Sequence, residues 1–197
     1  MDLIYVKTDQ DGIQTSGYLS NYDVAFDVST DVDYVTNNFE LTMALPEDAA
    51  DLLWAENSIS TIIYVEGTEY GGEISGSVID IGQQTITYTG RTWRGNLSQW
   101  IIEPPAGQDY LIVSGNLAES MRLLPMGNYI EVEDTSNSGG TYQFDRYITT
   151  FSGVTGLLGA AQSDLRASIE WEADGYGGVA KLTVTPARDL RNMVEVA

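Results

Sequence analysis

The sequence predicts a mainly β protein of the α+β class, with an antiparallel β-barrel-like tube domain and an inserted α+β segment. Three observations support this prediction. Several stretches of the first 90 residues alternate polar and apolar side chains, as half-buried strands do. Glycine- and aspartate-containing turns separate these stretches at regular intervals. After residue 105 the texture changes, and two segments carry the spacing of amphipathic helices.

The first half is predicted to consist of strands and turns with one short helix. A turn is expected at Asp9–Gly12, since Asp and Gly tolerate turn geometry. A short helix is expected over residues 46–54, because Pro46 stands near its first position and acids fill its first turn. The strands are predicted at residues 2–7, 22–28, 38–45, 60–66, 69–81 and 84–89.

The second half is predicted to mix helices and strands. A helix is expected over residues 114–124, capped by Ser114 or Asn116, and a second helix over 150–161. The remaining strands are predicted at 129–133, 141–144, 166–172 and 179–185. The expected division is therefore a barrel-like tube domain at 1–105, an α+β insertion at 106–165 and terminal strands at 166–197 that rejoin the β part.

The chain is organised around residues 89–105. The 83 residues from 8 to 90 contain no Lys or Arg, and then two arginines and two tryptophans follow within ten positions. The spacing predicts a helix near Trp93–Ile101, because Trp93, Leu97, Trp100 and Ile101 would share one face. Two interpretations stay open: the helix closes one end of the barrel, or its arginines contact a partner subunit.

The charge is large and uneven. The chain carries a net charge of −20, with 16 acids and one base in residues 1–90, against 13 acids and 8 bases in residues 91–197. Sequence-independent binding of nucleic acid requires phosphate-neutralising Lys and Arg, so this balance argues against it. The acidity indicates either a solvated surface that favours solubility or a wall that repels a passing polyanion.

The composition removes most catalytic chemistry. Histidine and cysteine are absent, which excludes ordinary zinc sites, disulfides and Ser-His-Asp or Cys-His catalysis. No phosphate-binding loop motif and no apolar run of membrane-spanning length occur. A carboxylate pair, Glu170 and Glu172, stays open as a glycosidase-like site, but a solvated strand face is the simpler interpretation. Asp145 and Arg146 are interpreted as a structural ion pair, and no catalytic, metal-binding or cofactor-binding residue is expected.

Two separated blocks of residues carry a family resemblance. The first block is Gly90-Arg91-Thr92-Trp93-Arg94-Gly95, followed by Ile101-Ile102-Glu103-Pro104-Pro105-Ala106-Gly107-Gln108-Asp109-Tyr110 and by Ser114-Gly115 at a helix start. The second block is Phe144-Asp145-Arg146-Tyr147, followed by a helix with Leu157-Leu158. With these blocks the chain resembles the tail proteins of siphoviruses and prophages of Gram-positive bacteria, over about residues 60 to 190.

This family is in turn similar to the central hub of phage baseplates and contractile injection machines. The resemblance implies a trimeric ring at the tail tip, with a lumen through which DNA passes without specific binding. It implies as partners the distal tail or tail-tube proteins, the tape-measure protein and a tail spike or fibre. The expected location is the virion tail tip, after assembly in the host cytoplasm. The structural or interface candidates are Gly90, Arg91, Trp93, Arg94, Trp100, Asp145, Arg146 and Tyr147.

Two alternative functions stay open. Many members of the family carry a peptidoglycan-degrading domain, so the chain is alternatively the N-terminal anchoring part of a tail-associated hydrolase. The 12 tyrosines and 4 tryptophans also allow a glycan- or receptor-binding module, since aromatic rings stack on sugars.

Overall fold

The computed structural model describes residues 2–28, 37–48, 51–54, 58–126, 130–132, 139–160, 163–173 and 178–189, the last two stretches as backbone alone. The chain divides into two units, which are described separately. Unit 1 comprises residues 1–29, 35–95 and 169–180, and unit 2 comprises residues 30–34, 96–168 and 181–197.

Unit 1 contains a seven-stranded antiparallel sheet. The strands are β1 (Ile4–Asp9), β2 (Gln14–Tyr18), β3 (Tyr22–Phe26), β4 (Asn38–Ala44), β5 (Ser58–Tyr64), β6 (Gly71–Asp80) and β7 (Thr85–Thr92). Their order across the sheet is β2-β1-β5-β6-β7-β4-β3. The turn predicted at Asp9–Gly12 is confirmed, because the Asp9 carboxylate accepts hydrogen bonds from the backbone N–H groups of Asp11 and Ile13.

The sheet curls around one hydrophobic core. Strand alternation places Phe39 and Leu41 of β4 beside Tyr88 of β7 on the inner face, and all three are fully buried. Leu19, which follows β2, and Tyr22, which begins β3, pack against the same core from the two ends of the sheet. The antiparallel, barrel-like β architecture predicted from sequence is therefore confirmed as a curled half-barrel.

Unit 2 is built from small elements. Strand β8 (Leu111–Asn116) pairs with β10 (Gly139–Phe144) in an antiparallel ribbon. Helix α2 (Leu117–Arg122) begins at Asn116, whose side chain accepts from the Glu119 N–H while the Glu119 carboxylate accepts from the Asn116 N–H. Asn116 is thus the cap, whereas Ser114 lies within β8. Helix α3 (Thr150–Ala160) matches its prediction, and it buries Phe151, Val154 and Leu157.

The last strands form a separate sheet. Strands β11 (Ser163–Ala173) and β12 (Gly178–Asp189) lie in the order β11-β12-β9, and β12 runs parallel to β9 (Ile130–Val132). Among the described residues, β12 pairs with β9, and no pairing joins β11 or β12 to the seven-stranded sheet. The three-part division at 105 and 165, with terminal strands that rejoin the β part, stays a prediction.

Two predicted helices differ from the structure, and one strand was missed. The helix expected over Trp93–Ile101 ends early, since α1 spans Trp93–Leu97 and Ile101 instead forms a β-bridge with Thr149. For residues 46–54, the described part shows one turn, with the Asp51 N–H donating to the Asp48 carbonyl, and residues 49 and 50 lie outside the description. Strand β2 was not predicted, because its residues lack apolar alternation. No helix in the described ranges has the length and apolar character needed to cross a membrane.

Candidate interaction surface

The first motif block begins at a crowded point of the sheet. Gly90 lies in β7, between its partners Phe39 of β4 and Ile74 of β6. A Cβ atom at Gly90 would overlap the carbonyl oxygen of Glu73 and the ring of Phe39. Gly90 therefore permits close packing of the sheet against an aromatic ring, and its role in the described fold is structural.

Trp93 is the largest buried side chain of the block. It begins α1 directly after β7, and only 1% of its surface is exposed. A Cβ atom on Gly71 would lie 2.5 Å from the indole Nε1 of Trp93 and 2.8 Å from Cβ of Tyr64, so a glycine is needed where they meet. Burial, with smaller contributions from Glu66 and Tyr18, raises the pKa of Tyr64 to about 12.

Arg94 is held in a buried ion pair. Its Nε and Nη2 atoms both donate to one carboxylate oxygen of Glu69, at 2.9 and 2.7 Å. The side chain of Arg94 is 9% exposed and that of Glu69 is 30% exposed. A guanidinium this deeply buried requires its carboxylate, because an uncompensated interior charge is costly. Arg94 is therefore committed to the fold, whereas its neighbour Arg91 is exposed in β7.

Residues 145–147 of the second motif block lie on the surface of unit 2, whereas Phe144 is buried. Arg146 donates to both the backbone carbonyl and the carboxylate of Asp109, and its guanidinium lies 5.9 Å from the centre of the Tyr110 ring. The structural ion pair predicted between Asp145 and Arg146 is thus replaced by a pair with Asp109, which lies 37 positions earlier. The β10–β8 register explains this, since Phe144 pairs with Leu111 and brings the following residues beside Asp109.

Several large side chains near the second block remain exposed. Trp100 is 45% exposed and Tyr147 is 66% exposed, although aromatic side chains usually find cover in a folded domain. The backbone joins their segments, because Tyr147 N–H donates to Ile102 O and Thr150 N–H donates to Trp100 O. We call this group the aromatic patch of unit 2, comprising Trp100, Ile101, Tyr110, Arg146 and Tyr147.

The start of the first block and the exposed residues of unit 2 therefore differ in environment. The structure buries Gly90, Trp93 and Arg94 within unit 1 and leaves Arg91 exposed there. It brings Trp100, Asp145, Arg146 and Tyr147 to the outside of unit 2, where Tyr147 adopts a φ of 59°.

Sequence reasoning missed the partners that hold these residues. Glu69 lies 25 positions before Arg94, and nothing in the local pattern marks it as the carboxylate that Arg94 contacts. Lys7, the single base of the first 90 residues, donates to the Leu52 carbonyl at 2.9 Å. Its isolation in an acidic half of the chain was a signal that could have identified it as a structural clamp.

No cluster of three or more carboxylates that could hold a metal ion occurs in the parts of the chain that are described. Glu170 and Glu172, the possible carboxylate pair, lie in β11, where only the backbone is described. Burial raises the pKa of the Tyr88 phenol, although the Leu53 backbone N–H, which donates a hydrogen bond to the Tyr88 oxygen, acts to lower it.

The chain matches no protein-family model and no curated protein. Its fold is similar to a prophage MuSo2 43 kDa tail protein from Shewanella oneidensis, at 16% identity and a TM-score of 0.49, covering 93% of this chain and 54% of the other. A tail protein from Neisseria meningitidis MC58 gives 13% identity, a TM-score of 0.49 and coverages of 93% and 50%. Prophage tail protein gp18 from Listeria monocytogenes EGD-e gives 12% identity, a TM-score of 0.46 and coverages of 94% and 51%.

The chain thus spans about half the length of these solved structures. With TM-scores below 0.5 and identities of 16% or less, these similarities alone assign no function to the chain.

Proposed function

We propose that the chain is a structural component of the tail of a phage or phage-like particle. The observation that carries this proposal is the use of the two motif blocks. The Gly90–Gly95 part of the first block builds the interior of unit 1 through Trp93 and the Arg94–Glu69 pair. The second exposes Arg146 and Tyr147, and tyrosine and arginine are enriched in protein interfaces. This combination of rigid scaffold and contact surface suits a protein that assembles with others.

The finer proposal is a central hub ring at the tail tip. In this arrangement three copies surround a lumen, and the aromatic patch of unit 2 contributes to contacts between copies or with neighbouring tail proteins. The net charge of −20 per chain suits a conduit, because negative walls do not retain phosphates. Distal tail or tail-tube proteins, the tape-measure protein and a spike or fibre are the proposed neighbours.

The mass of the purified chain in solution tests the ring. Light scattering coupled to size exclusion is expected to give the mass of three 21.5 kDa chains. Tyr147→Ala together with Arg146→Met is expected to shift this mass toward one chain, because both changes remove exposed contact groups. Glu40→Gln, at an exposed position of β4, is the matched surface control and should leave the mass unchanged. A single-chain mass at every concentration would contradict the ring.

A second candidate, a glycan- or receptor-binding module, is favoured by one observation. Trp100, Tyr110 and Tyr147 present partly exposed rings in unit 2, and such rings stack on sugar faces. A glycan array is the direct test: binding that is lost in Trp100→Ala but kept in Trp93→Phe would support this function. No binding to any glycan would remove it.

A further inference from the structure

Strand β2 (Gln14–Tyr18) is an edge strand whose outer side pairs with no other described strand. In an antiparallel pair, only alternate residues of a strand form hydrogen bonds to a given neighbour. The Leu19 N–H donates to the Leu3 carbonyl, so the residues of β2 that bond to β1 are Thr15 and Gly17. By this alternation the backbone groups of Ser16 and Tyr18 point away from β1. Natural edge strands are usually protected by charged residues or proline, and β2 contains neither.

An open cavity of about 650 Å³ adjoins this edge within unit 1. Part of its lining is formed by apolar side chains, which we call the apolar floor. The lining also includes two carboxylates and one ammonium group. Gly17 has no side chain at this point of β2, where a Cβ atom would lie only 2.8 Å from the ring of Tyr5. The lining residues that matter are Lys7, Asp9, Thr15, Met43, Asp51 and Leu52.

The charge of the cavity lining favours a positively charged occupant. Asp9 and Asp51 outnumber Lys7 in the lining, and the Lys7 ammonium already donates to the Leu52 carbonyl. Residues 1–90 as a whole carry 16 acids and one base. A cavity with an apolar floor and a surplus of carboxylates suits the aliphatic stem and charged head of a lysine or arginine side chain.

We propose that the β2 edge and its cavity bind an extended, basic segment of a partner protein. The segment adds a strand to the sheet by bonding to the backbone of Ser16 and Tyr18. One of its lysine or arginine side chains enters the cavity beside Asp51. A second copy of this chain is disfavoured, because each copy carries a net charge of −20 and the cavity lining is itself acidic. This proposal does not depend on the assignment of the chain to a phage tail.

Three fluorescent ten-residue peptides test the proposal by anisotropy. One alternates lysine and threonine, the second has glutamine in place of lysine, and the third has glutamate. The lysine peptide is expected to bind the full chain, and its affinity should fall as the salt concentration rises, because salt screens the attraction. The glutamine peptide should bind about tenfold more weakly and the glutamate peptide not at all. Equal binding of all three would overturn the proposal.

Two variants locate the site. Ser16→Pro removes an outward N–H and is compatible with an edge strand, so binding of the lysine peptide should weaken about tenfold while the melting temperature is kept. Ser16→Thr is the matched control and should bind as the parent does. Asp51→Asn should lower the affinity for the lysine peptide about threefold and leave the affinity for the glutamine peptide unchanged.

The same variants exclude the competing occupant. If the parent chain self-associates and Ser16→Pro reduces it to single chains without peptide binding in either, the edge belongs to a second copy and the proposal is wrong. Unchanged binding in both Ser16→Pro and Asp51→Asn would also overturn it. A chain that binds the lysine peptide but forms no ring would keep this inference while removing the hub proposal.

Discussion

The two arginine-containing motif blocks make the same kind of contact in opposite environments. Arg94 donates to Glu69 with its side chain 9% exposed, whereas Arg146 donates to Asp109 with its side chain 46% exposed. Removing one partner of a buried pair leaves an uncompensated charge, but an exposed pair is screened by water. The Arg94 pair therefore belongs to the buried scaffold of unit 1, whereas the Arg146 pair belongs to an accessible surface of unit 2.

The largest expected effect tests whether the first block is scaffold. Trp93→Ala should lower the free energy of unfolding by about 4 kcal/mol, because it removes a fully buried aromatic side chain and leaves a cavity. Trp100→Ala is the matched control and should cost about 1 kcal/mol, since that ring is already half exposed. Chemical denaturation measures both, and equal losses would break the comparison.

A pH titration sharpens the picture of the core beside Trp93. Because burial raises the pKa of Tyr64 to about 12, the folded chain keeps this phenol protonated while the unfolded chain ionises near pH 10. Unfolding free energy should therefore be independent of this group below about pH 10 and fall by up to about 1.4 kcal/mol per pH unit toward pH 12.

Denaturant midpoints measured between pH 9 and 12, in the parent and in Tyr64→Phe, which has no phenol, check this effect. The Phe variant should show a shallower decline, while Tyr147→Phe, at an exposed position, should follow the parent. Identical slopes in parent and Tyr64→Phe would contradict the buried, protonated Tyr64.

The third prediction concerns the buried ion pair itself. Glu69→Gln should destabilise the chain by about 2 kcal/mol, below the about 3–5 kcal/mol typical of fully buried pairs, because Glu69 keeps some contact with water. Glu66→Gln alters an exposed acid nearby and should change stability by less than about 0.5 kcal/mol. A Glu69→Gln variant as stable as the parent would show that Arg94 does not depend on its partner.

The smallest stability effect belongs to the second block. Arg146→Met should cost less than about 1 kcal/mol, since an exposed ion pair contributes little. Its consequence should instead be seen in assembly, as a weaker association of copies in sedimentation. A loss of stability as large as that of Glu69→Gln would remove the distinction between the blocks.

Local patterns predicted much of the fold. The alternation in residues 38–45 gave β4, and the spacing of Leu117, Met121 and Leu124 marked a helix whose cap, Asn116, completes a capping box. These features depend on neighbours within a few positions, which a single sequence displays directly.

Features that depend on distant partners were not predictable in this way. Trp100 and Ile101 fit a helical face, but tertiary pairing with Thr149 and Thr150 took precedence and left them partly exposed. Strand β2 has no apolar alternation, because an edge strand can be held by backbone bonds to β1 alone. The Glu69 and Asp109 partners likewise follow from strand register across 25 and 37 positions.

The location of the chain on an assembled particle tests the central claim most directly. Electron microscopy of particles that carry a gold-labelled tag on this chain is the decisive measurement. The account predicts label at one end of the tail, and loss of that label in a Tyr147→Ala and Arg146→Met double variant that still folds. Intact tails without label, formed while the tagged chain remains a separate soluble protein, would contradict it.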